Sequence, residues 1–256
     1  MTKSKPDSTK NALVVFLEDK HRLRVQSQFS ESVEASDVQS LYQAFIEDTV
    51  AACLTVESAD IFVAYSSERA KKFVLEAIEN LKSSMKGKCR ARLDHDDIAL
   101  VAQTESDVSA NFESTFKRYF DAGYGEIVLI DCVTPTITQR MIENAFKVLK
   151  KKDVVFGPTL EGAYYLLGMR KLVPQVFRLI DWSNSINIYS RMVEVARDMQ
   201  LNWEEIELWY DLRQPGDLEF LVRDINAFRI IGDETSAKAT EAVLESLLQK
   251  LQDEEP

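Results

Sequence analysis

Short apolar runs alternate with longer amphipathic stretches along most of this chain. The run at 12–17 is continuous and rich in β-branched residues, a pattern typical of a strand buried on both faces. Further strand-like runs follow at 59–65, 98–102, 126–130, 153–157 and 163–169, with a short one near Ile206. The spacing of these runs leaves room for a helix between most of them.

The intervening stretches repeat apolar residues every three or four positions, which predicts helices. The first predicted helix covers 38–53, with Ser36 or Asp37 as its cap. Others are predicted at 73–81, 108–120 (ending at Gly123), 138–150, 184–199 and from Pro215 onward. Alternation of this length predicts a doubly wound sheet with right-handed crossovers, whose ligands bind beyond the carboxyl ends of the strands.

The two ends of the chain depart from this alternation. Residues 1–10 are polar and rich in Lys, Ser and Pro, so they predict a flexible tail. Residues 236–252 form an amphipathic helix pattern, which favours packing on the same domain over dimerisation, although a homodimer stays open. The predicted organisation is a tail at 1–10, an α/β domain at 11–230 and a helical extension at 231–256.

Composition narrows the functional classes. Of the 256 residues, 45% are hydrophobic and 29% charged, as in ordinary globular proteins. The net charge of −11 disfavours nucleic acid as a partner. No apolar run approaches the ~20 residues that span a bilayer or resembles a signal-peptide core, so we expect no membrane span and a cytoplasmic location. Three cysteines without Cys-x-x-Cys spacing and two histidines point to neither a disulfide framework nor a zinc site.

The turn after the 126–130 strand is the first candidate site. Asp131, Cys132 and Thr134 precede Pro135 and a helix that begins near Thr138. A carboxylate at the carboxyl end of a strand can hold a divalent cation that neutralises a diphosphate. The alternative is that Asp131 only satisfies backbone donors in a turn or caps the helix.

The segment at 157–169 is the second candidate. Glu161 lies in a loop with Gly157 and Gly162, glycines that permit unusual dihedrals or close approach of a ligand. Tyr164 and Tyr165 could each stack on a flat ring, but neighbours in a strand point to opposite faces, so at most one is expected to face a ligand.

Three other features carry weaker signals. The cluster of Asp94, His95, Asp96 and Asp97 has the residue types of a metal site, but its members are consecutive, which favours a solvated acidic turn. Trp182, at the start of a loop, is more typical of a packing anchor than of a ligand platform. Asp211 follows a predicted strand and could present a carboxylate or cap the helix at Pro215.

The ordered set of motifs resembles a family of bacterial nucleotide-diphospho-sugar transferases. The set comprises LVVF at 13–16, LYQAFIEDTV at 41–50, VLI at 128–130 with Pro135, GPTLEGAYYLLGM at 157–169, Trp182-Ser183 and Asp211 ahead of Pro215. That family is related to the glycosyltransferase A fold and includes glycosyltransferases associated with arsenosugar biosynthesis. The resemblance covers roughly residues 13–221. It implies a Rossmann-like three-layer α/β/α fold with a mostly parallel mixed sheet, binding a nucleotide-diphospho-sugar with Mg²⁺ or Mn²⁺.

The resemblance also implies roles for individual residues. Asp131 is the expected metal ligand, and Glu161 and Asp211 are the expected catalytic carboxylates. The residues expected to contact the nucleotide-sugar are Arg24, Gln103, Thr134, Gly162, Tyr164 and Trp182.

The sequence departs from the family mainly where the diphosphate is expected to bind. The family's Lys-Thr-Arg positions are Gln26, Ser27 and Gln28 here, and Lys20, Arg22 and Arg24 could partly replace the missing cations. Aligned on Pro135, the family's metal aspartate is Val133, with Asp131 two residues away. Charge and glycine have changed more than the packing positions.

Three functional hypotheses follow from this pattern. The first is an active transferase that stabilises a leaving diphosphate electrostatically. The second is a non-catalytic binding or scaffold protein that keeps the fold. A nucleotidyltransferase is a weaker third, because the missing basic loop argues against it as well.

Overall fold

A computed structural model describes residues 10–18, 25, 27, 34–105, 107–182, 187–210, 212 and 215–254. Two predicted site residues, Arg24 and Asp211, lie outside the described residues, as do Lys20, Arg22 and most of the predicted tail.

The described strands form one mixed sheet of seven. In chain order they are β1 (Asn11–Leu17), β2 (Ala59–Tyr65), β3 (Ile98–Ala102), β4 (Glu126–Asp131), β5 (Val154–Pro158), β6 (Tyr164–Met169) and β7 (Trp203–Glu205). Their order across the sheet is β3-β2-β1-β4-β6-β5-β7. All neighbours are parallel except that β6 runs antiparallel to both β4 and β5. The strand positions agree closely with those predicted from the apolar runs.

Helices connect most of these strands. They are α1 (Ala35–Leu54), α2 (Glu68–Ser84), α3 (Gly87–Asp94), α4 (Val108–Asp121), α5 (Gln139–Leu149), α6 (Gln175–Arg178), α7 (Ile188–Asp198), α8 (Leu218–Ile230) and α9 (Lys238–Glu254). As predicted, α4 is followed by Gly123 in a left-handed conformation with φ of 92°. The helix predicted from Pro215 opens as a 3₁₀ turn, Pro215–Asp217, before α8 begins.

The core forms two layers, one on each face of the sheet. Alternate side chains of β1 supply both: Leu13, Val15 and Leu17 belong to the cluster that includes residues of α1, α2 and α5. Val14 and Phe16 belong to the cluster on the other face, with α4, α6 and α7. This is the predicted three-layer α/β/α fold.

One local prediction was wrong, and one helix was not predicted. Helix α1 begins at Ala35 after Glu34, with no side-chain cap, because Ser36 and Asp37 lie inside its first turn and Asp37 pairs instead with Lys250 at 2.6 Å. Helix α3 was not predicted, since only Leu93 of its eight residues is buried. The Arg92 guanidinium fixes its position by donating hydrogen bonds to the carbonyl oxygens of Leu54 at the end of α1, of Val56, and of Ala59 at the start of β2.

The C-terminal helix packs on its own chain. Val243, Leu244 and Leu247 of α9 pack on a cluster that includes Leu41 and Phe45 of α1. The Asp48 carboxylate of α1 accepts hydrogen bonds from backbone N–H groups near the start of α9, at 3.0 Å and 2.8 Å. The predicted domain boundaries and the homodimer stay predictions. None of the helices among the described residues is long and apolar enough to cross a membrane.

Candidate functional site at the carboxyl edge of the sheet

The topology puts a switch point between β1 and β4. From β1 the chain moves to β2 and β3 on one side, then returns to β4 on the other. Asp131, the last residue of β4, is in register with Phe16 of β1. Crevices at such points, beyond the carboxyl ends of strands, are where sheets of this class bind ligands. Asp131 therefore lies at the position that the topology favours for a ligand.

The turn after β4 is tightly hydrogen-bonded. The Asp131 carboxylate is half-buried, and its Oδ1 accepts a hydrogen bond from the backbone N–H of Val133 at 3.2 Å. Burial, with the nearby Asp131 charge, raises the pKa of the Cys132 thiol well above its usual value. Thr138 caps α5 by accepting a hydrogen bond from Met141 N–H at 3.3 Å. Asp131 therefore does accept a backbone hydrogen bond within the turn, as the structural alternative predicted. This hydrogen bond orients one of its two carboxylate oxygens.

Two residues of this turn face inward. Val133, at the family's carboxylate position, is 0% exposed, and its carbonyl accepts a hydrogen bond from Leu212 N–H at 3.1 Å. Thr134 is also fully buried, and its hydroxyl has no hydrogen-bond partner among the residues that the structure describes. The contact predicted between Thr134 and a nucleotide stays a prediction.

Glu161 and Gly162 lie in the short loop that joins β5 to β6. Thr159 closes this loop: its N–H donates to the Ala163 carbonyl at 3.0 Å, and its hydroxyl accepts from Ala163 N–H at 3.2 Å. Gly162 has φ of 79°, a left-handed conformation that favours glycine. Its carbonyl accepts a hydrogen bond from Tyr189 N–H at 3.0 Å, which ties the loop to α7. Glu161 is held, half-buried, in this ordered loop.

Tyr164 and Trp182 belong to an aromatic cluster. Their ring centroids are 6.2 Å apart, and the Phe112 ring lies 6.2 Å from Tyr164 and 4.8 Å from Trp182. The indole N–H of Trp182 donates to the Phe177 carbonyl at 2.8 Å, as expected of a packing anchor. Tyr165 is fully buried on the other face, as the alternation predicted for one of the two tyrosines.

Gln103, which follows β3, is hydrogen-bonded to the carboxyl ends of β2 and β1. Its backbone N–H donates to the Tyr65 carbonyl at 2.9 Å. Its side-chain amide donates to the carbonyls of Ala64 at 3.0 Å and Leu17 at 3.4 Å. These contacts place Gln103 at the carboxyl edge, where they hold the strand ends together. Its contact with a nucleotide stays a prediction.

The β4–α5 turn and the β5–β6 loop share one end of the sheet. The β4–β6 pairing ends at Ile130 and Leu166, so Asp131 and Tyr164 both lie just beyond the β4–β6 ladder, at the same end of the sheet. Gln103 is at the same edge but on the β3 side. Within the described ranges, no group of three or more His, Cys, Asp or Glu could hold a metal ion.

Several buried polar residues near this edge were not predicted from the sequence. Asn111 forms two 3.0 Å hydrogen bonds with the backbone of Glu105 and so fixes the loop after β3. The sequence did contain a signal for this contact, because Asn111 is a polar residue within the apolar stripe of α4. Thr136 bonds to both Trp209 and Tyr210, and no local pattern marks that contact because the partners are more than 70 residues away.

Comparison with known families decides the relationship. The family described as "Uncharacterized protein conserved in bacteria (DUF2064)" matches residues 49–184. The chain belongs to this family. A comparison with proteins of curated function finds no match.

Solved structures share the fold of this DUF2064 protein. A "putative nucleotide-diphospho-sugar transferase" from Desulfovibrio desulfuricans is 23% identical, covers 95% of this chain and 98% of its own, and has a TM-score of 0.73. A nucleotidyl transferase from Methanothermobacter is 14% identical, with 86% and 100% covered and a TM-score of 0.57. The 4-diphosphocytidyl-2C-methyl-D-erythritol synthase of Anaerococcus prevotii is 9% identical, with 85% and 96% covered and a TM-score of 0.55. The fold predicted from the resemblance is confirmed.

Proposed function

We propose that this protein binds a nucleotide-diphospho-sugar at the carboxyl edge of the sheet and is a glycosyltransferase-like protein. The position of Asp131 carries the proposal: a half-buried carboxylate ends β4 beside β1, at the switch point of the sheet. The transferase names of the structures that share this fold support it.

The residues at this edge fit a divalent cation that is held partly by the ligand. Mg²⁺ is commonly bound through one or two carboxylates plus substrate phosphates, and Asp131 supplies one such carboxylate. When bound, the cation would neutralise charge on the diphosphate. The hydrogen bond from Val133 N–H orients the Asp131 carboxylate. The left-handed Gly162 offers close backbone approach, and Glu161 and Asp211 are our candidates for contact with the reacting sugar.

A non-catalytic binding protein is the second candidate. It is favoured by Val133, which is apolar and fully buried at the position where the family carries its metal aspartate. This form would bind the nucleotide-sugar without depending on a cation.

Calorimetric titration tests the proposal. Nucleoside diphosphates, their sugar conjugates and nucleoside triphosphates are titrated with and without Mn²⁺ or Mg²⁺. We expect the unmodified protein to bind a nucleoside diphosphate or its sugar conjugate. In the presence of the cation, the Asp131→Asn variant should bind it at least about tenfold more weakly. Asp60→Asn is the matched control, because Asp60 is also in register with a residue of β1, Ala12, but lies at the amino end of the strands, on the opposite edge of the sheet.

The outcomes separate the hypotheses. Binding that needs no cation and survives Asp131→Asn favours the non-catalytic form. Binding of triphosphates alone favours a nucleotidyltransferase. If no nucleotide binds under any condition, the proposal is wrong.

A further inference from the structure

Trp209, Tyr210 and Leu212 connect the two loops of the candidate site. Trp209 pairs with the start of the β5–β6 loop: its N–H donates to the Pro158 carbonyl at 3.1 Å, and its carbonyl accepts from Leu160 N–H at 3.0 Å. Leu212 N–H donates to the Val133 carbonyl in the turn after β4, at 3.1 Å. These residues are therefore bonded to both loops.

The hydroxyl of Thr136 is the central point of these contacts. The indole N–H of Trp209 donates to Thr136 Oγ1 at 3.0 Å, and the Tyr210 hydroxyl lies 2.9 Å from the same atom. Thr136 is 0% exposed and Tyr210 is 2% exposed. Removing the shared hydroxyl would therefore take a buried hydrogen-bond partner from both the Trp209 indole N–H and the Tyr210 hydroxyl.

The contacts continue from Tyr210 into α8. Tyr210 packs in a cluster with Leu221 and Ile225 of that helix. Burial and the neighbouring Asp224 carboxylate raise the pKa of the Tyr210 phenol, so it keeps its proton. A neutral phenol can donate one hydrogen bond and accept another, which suits a residue that lies between Thr136 and α8.

Regular strand pairing does not reach the two loops. The β4–β6 ladder ends at the Ile130 and Leu166 pair, and the β5–β6 ladder ends at Pro158 and Tyr164. Asp131 still pairs with Phe16 of β1, but residues 132–137 and 159–163 lie beyond these ladders. An isolated parallel bridge between Thr159 and Trp209 and the hydrogen bond from Leu212 N–H to the Val133 carbonyl connect the two loops.

We propose that Thr136 is a positioning residue, whose hydroxyl acts through Trp209 and Tyr210 to set the place of the Asp131 turn relative to the Glu161 loop. The consequence for ligand binding rests on the proposed function. The effect on the two loops does not, because it follows from the hydrogen bonds alone.

The test compares two substitutions at one position. Thr136→Val keeps the shape of the side chain and removes the hydroxyl, whereas Thr136→Ser keeps the hydroxyl and removes a buried methyl group. Hydrogen exchange is followed at the amides of Leu160 and Leu212, which form the two cross-links. Affinity for a nucleoside diphosphate with Mn²⁺ is measured on the same samples. Thr115→Val, a buried threonine on α4, is the control for the substitution itself.

We expect about tenfold faster exchange at both amides in Thr136→Val and about tenfold weaker nucleotide binding. In Thr136→Ser both values should return to within about twofold of the unmodified protein. Equal effects of Val and Ser, or faster exchange in Thr115→Val to the same degree, would overturn the inference, since lost packing would then explain the result. If the unmodified protein binds no nucleotide, the proposed function fails, while the exchange comparison still decides the role of Thr136.

Discussion

The buried carboxylate of Asp48 makes the stability of this fold depend on pH. Asp48 is 5% exposed and accepts hydrogen bonds from Ala239 and Thr240 N–H groups near the start of α9. Burial raises its pKa from 3.8 to about 7; the hydrogen bonds from Thr240 and Ala239 oppose this rise, and the Glu47 charge adds to it. Protonation of Asp48 is therefore easier in the folded state than in the unfolded state.

The sign and the size follow from linkage. Because the folded pKa is the higher one, the stabilisation is fully present below pH 3.8 and is lost as the pH rises through about 7. One pKa unit corresponds to about 1.4 kcal/mol, so the free energy of unfolding should fall by about 1.4 kcal/mol per pH unit across this window. The full contribution is about 4 kcal/mol, a large share of the stability of a typical domain.

Urea unfolding of the unmodified protein and of Asp48→Asn, between pH 5.5 and 8.5, measures this contribution. The series starts at pH 5.5 because the net charge is close to zero at the pI of about 4.9, where proteins tend to associate. Asparagine resembles the protonated acid, so the variant should gain about 2 kcal/mol relative to the unmodified protein between pH 5.5 and 7, and little more above that. Taking the difference between the two proteins cancels the titration of the other groups.

The control is Asp37→Asn, which changes another α1 carboxylate that pairs with α9 through Lys250. Its effect should stay below about 1 kcal/mol, as for partly exposed ion pairs. A difference between the unmodified protein and Asp48→Asn that stays constant from pH 5.5 to 8.5 would refute the reasoning.

Two further predictions concern the core. Gly168→Ala should destabilise the fold by about 2 kcal/mol in urea unfolding, because the new Cβ would lie 2.5 Å from Val155 Cγ1 and 2.9 Å from Leu149 Cδ1; an unchanged midpoint would contradict this packing. Thiol labelling of the native protein at pH 8 should modify Cys89 alone, since Cys53 and Cys132 are fully buried and burial raises the pKa of Cys53 to about 12. All three thiols should react in urea, and rapid labelling of Cys132 in the native state would be inconsistent with its burial.

The positions of the central strands could be predicted from the sequence because most of their side chains are buried, on both faces of the sheet. Such strands are continuous apolar runs, and β1, β2 and β4 all follow that pattern. The end of α4 at Gly123 was also predictable, since a left-handed residue after a helix has a local cause. The same reasoning identified Asp131 and Glu161, because loops at strand ends are visible in the order of the elements.

The direction of β6 was decided by the tertiary structure together with loop length. A parallel connection needs a crossover of a dozen or more residues, and only the loop at 159–163 separates β5 from β6. The apolar run of β6 is compatible with either direction. The resemblance to a known fold, and not the pattern itself, implied a mixed sheet.

What the sequence alone determined was most of the elements, α3 excepted, because helix and strand periodicity and turn residues act over a few neighbouring positions. What only the tertiary structure decided was how distant residues meet. Val133 and Thr134 are fully buried, and Trp182 packs on Phe112. Thr136 forms hydrogen bonds with Trp209 and Tyr210. Those contacts join residues that are many positions apart, and their energy depends on burial and on mutual geometry, which no local pattern encodes.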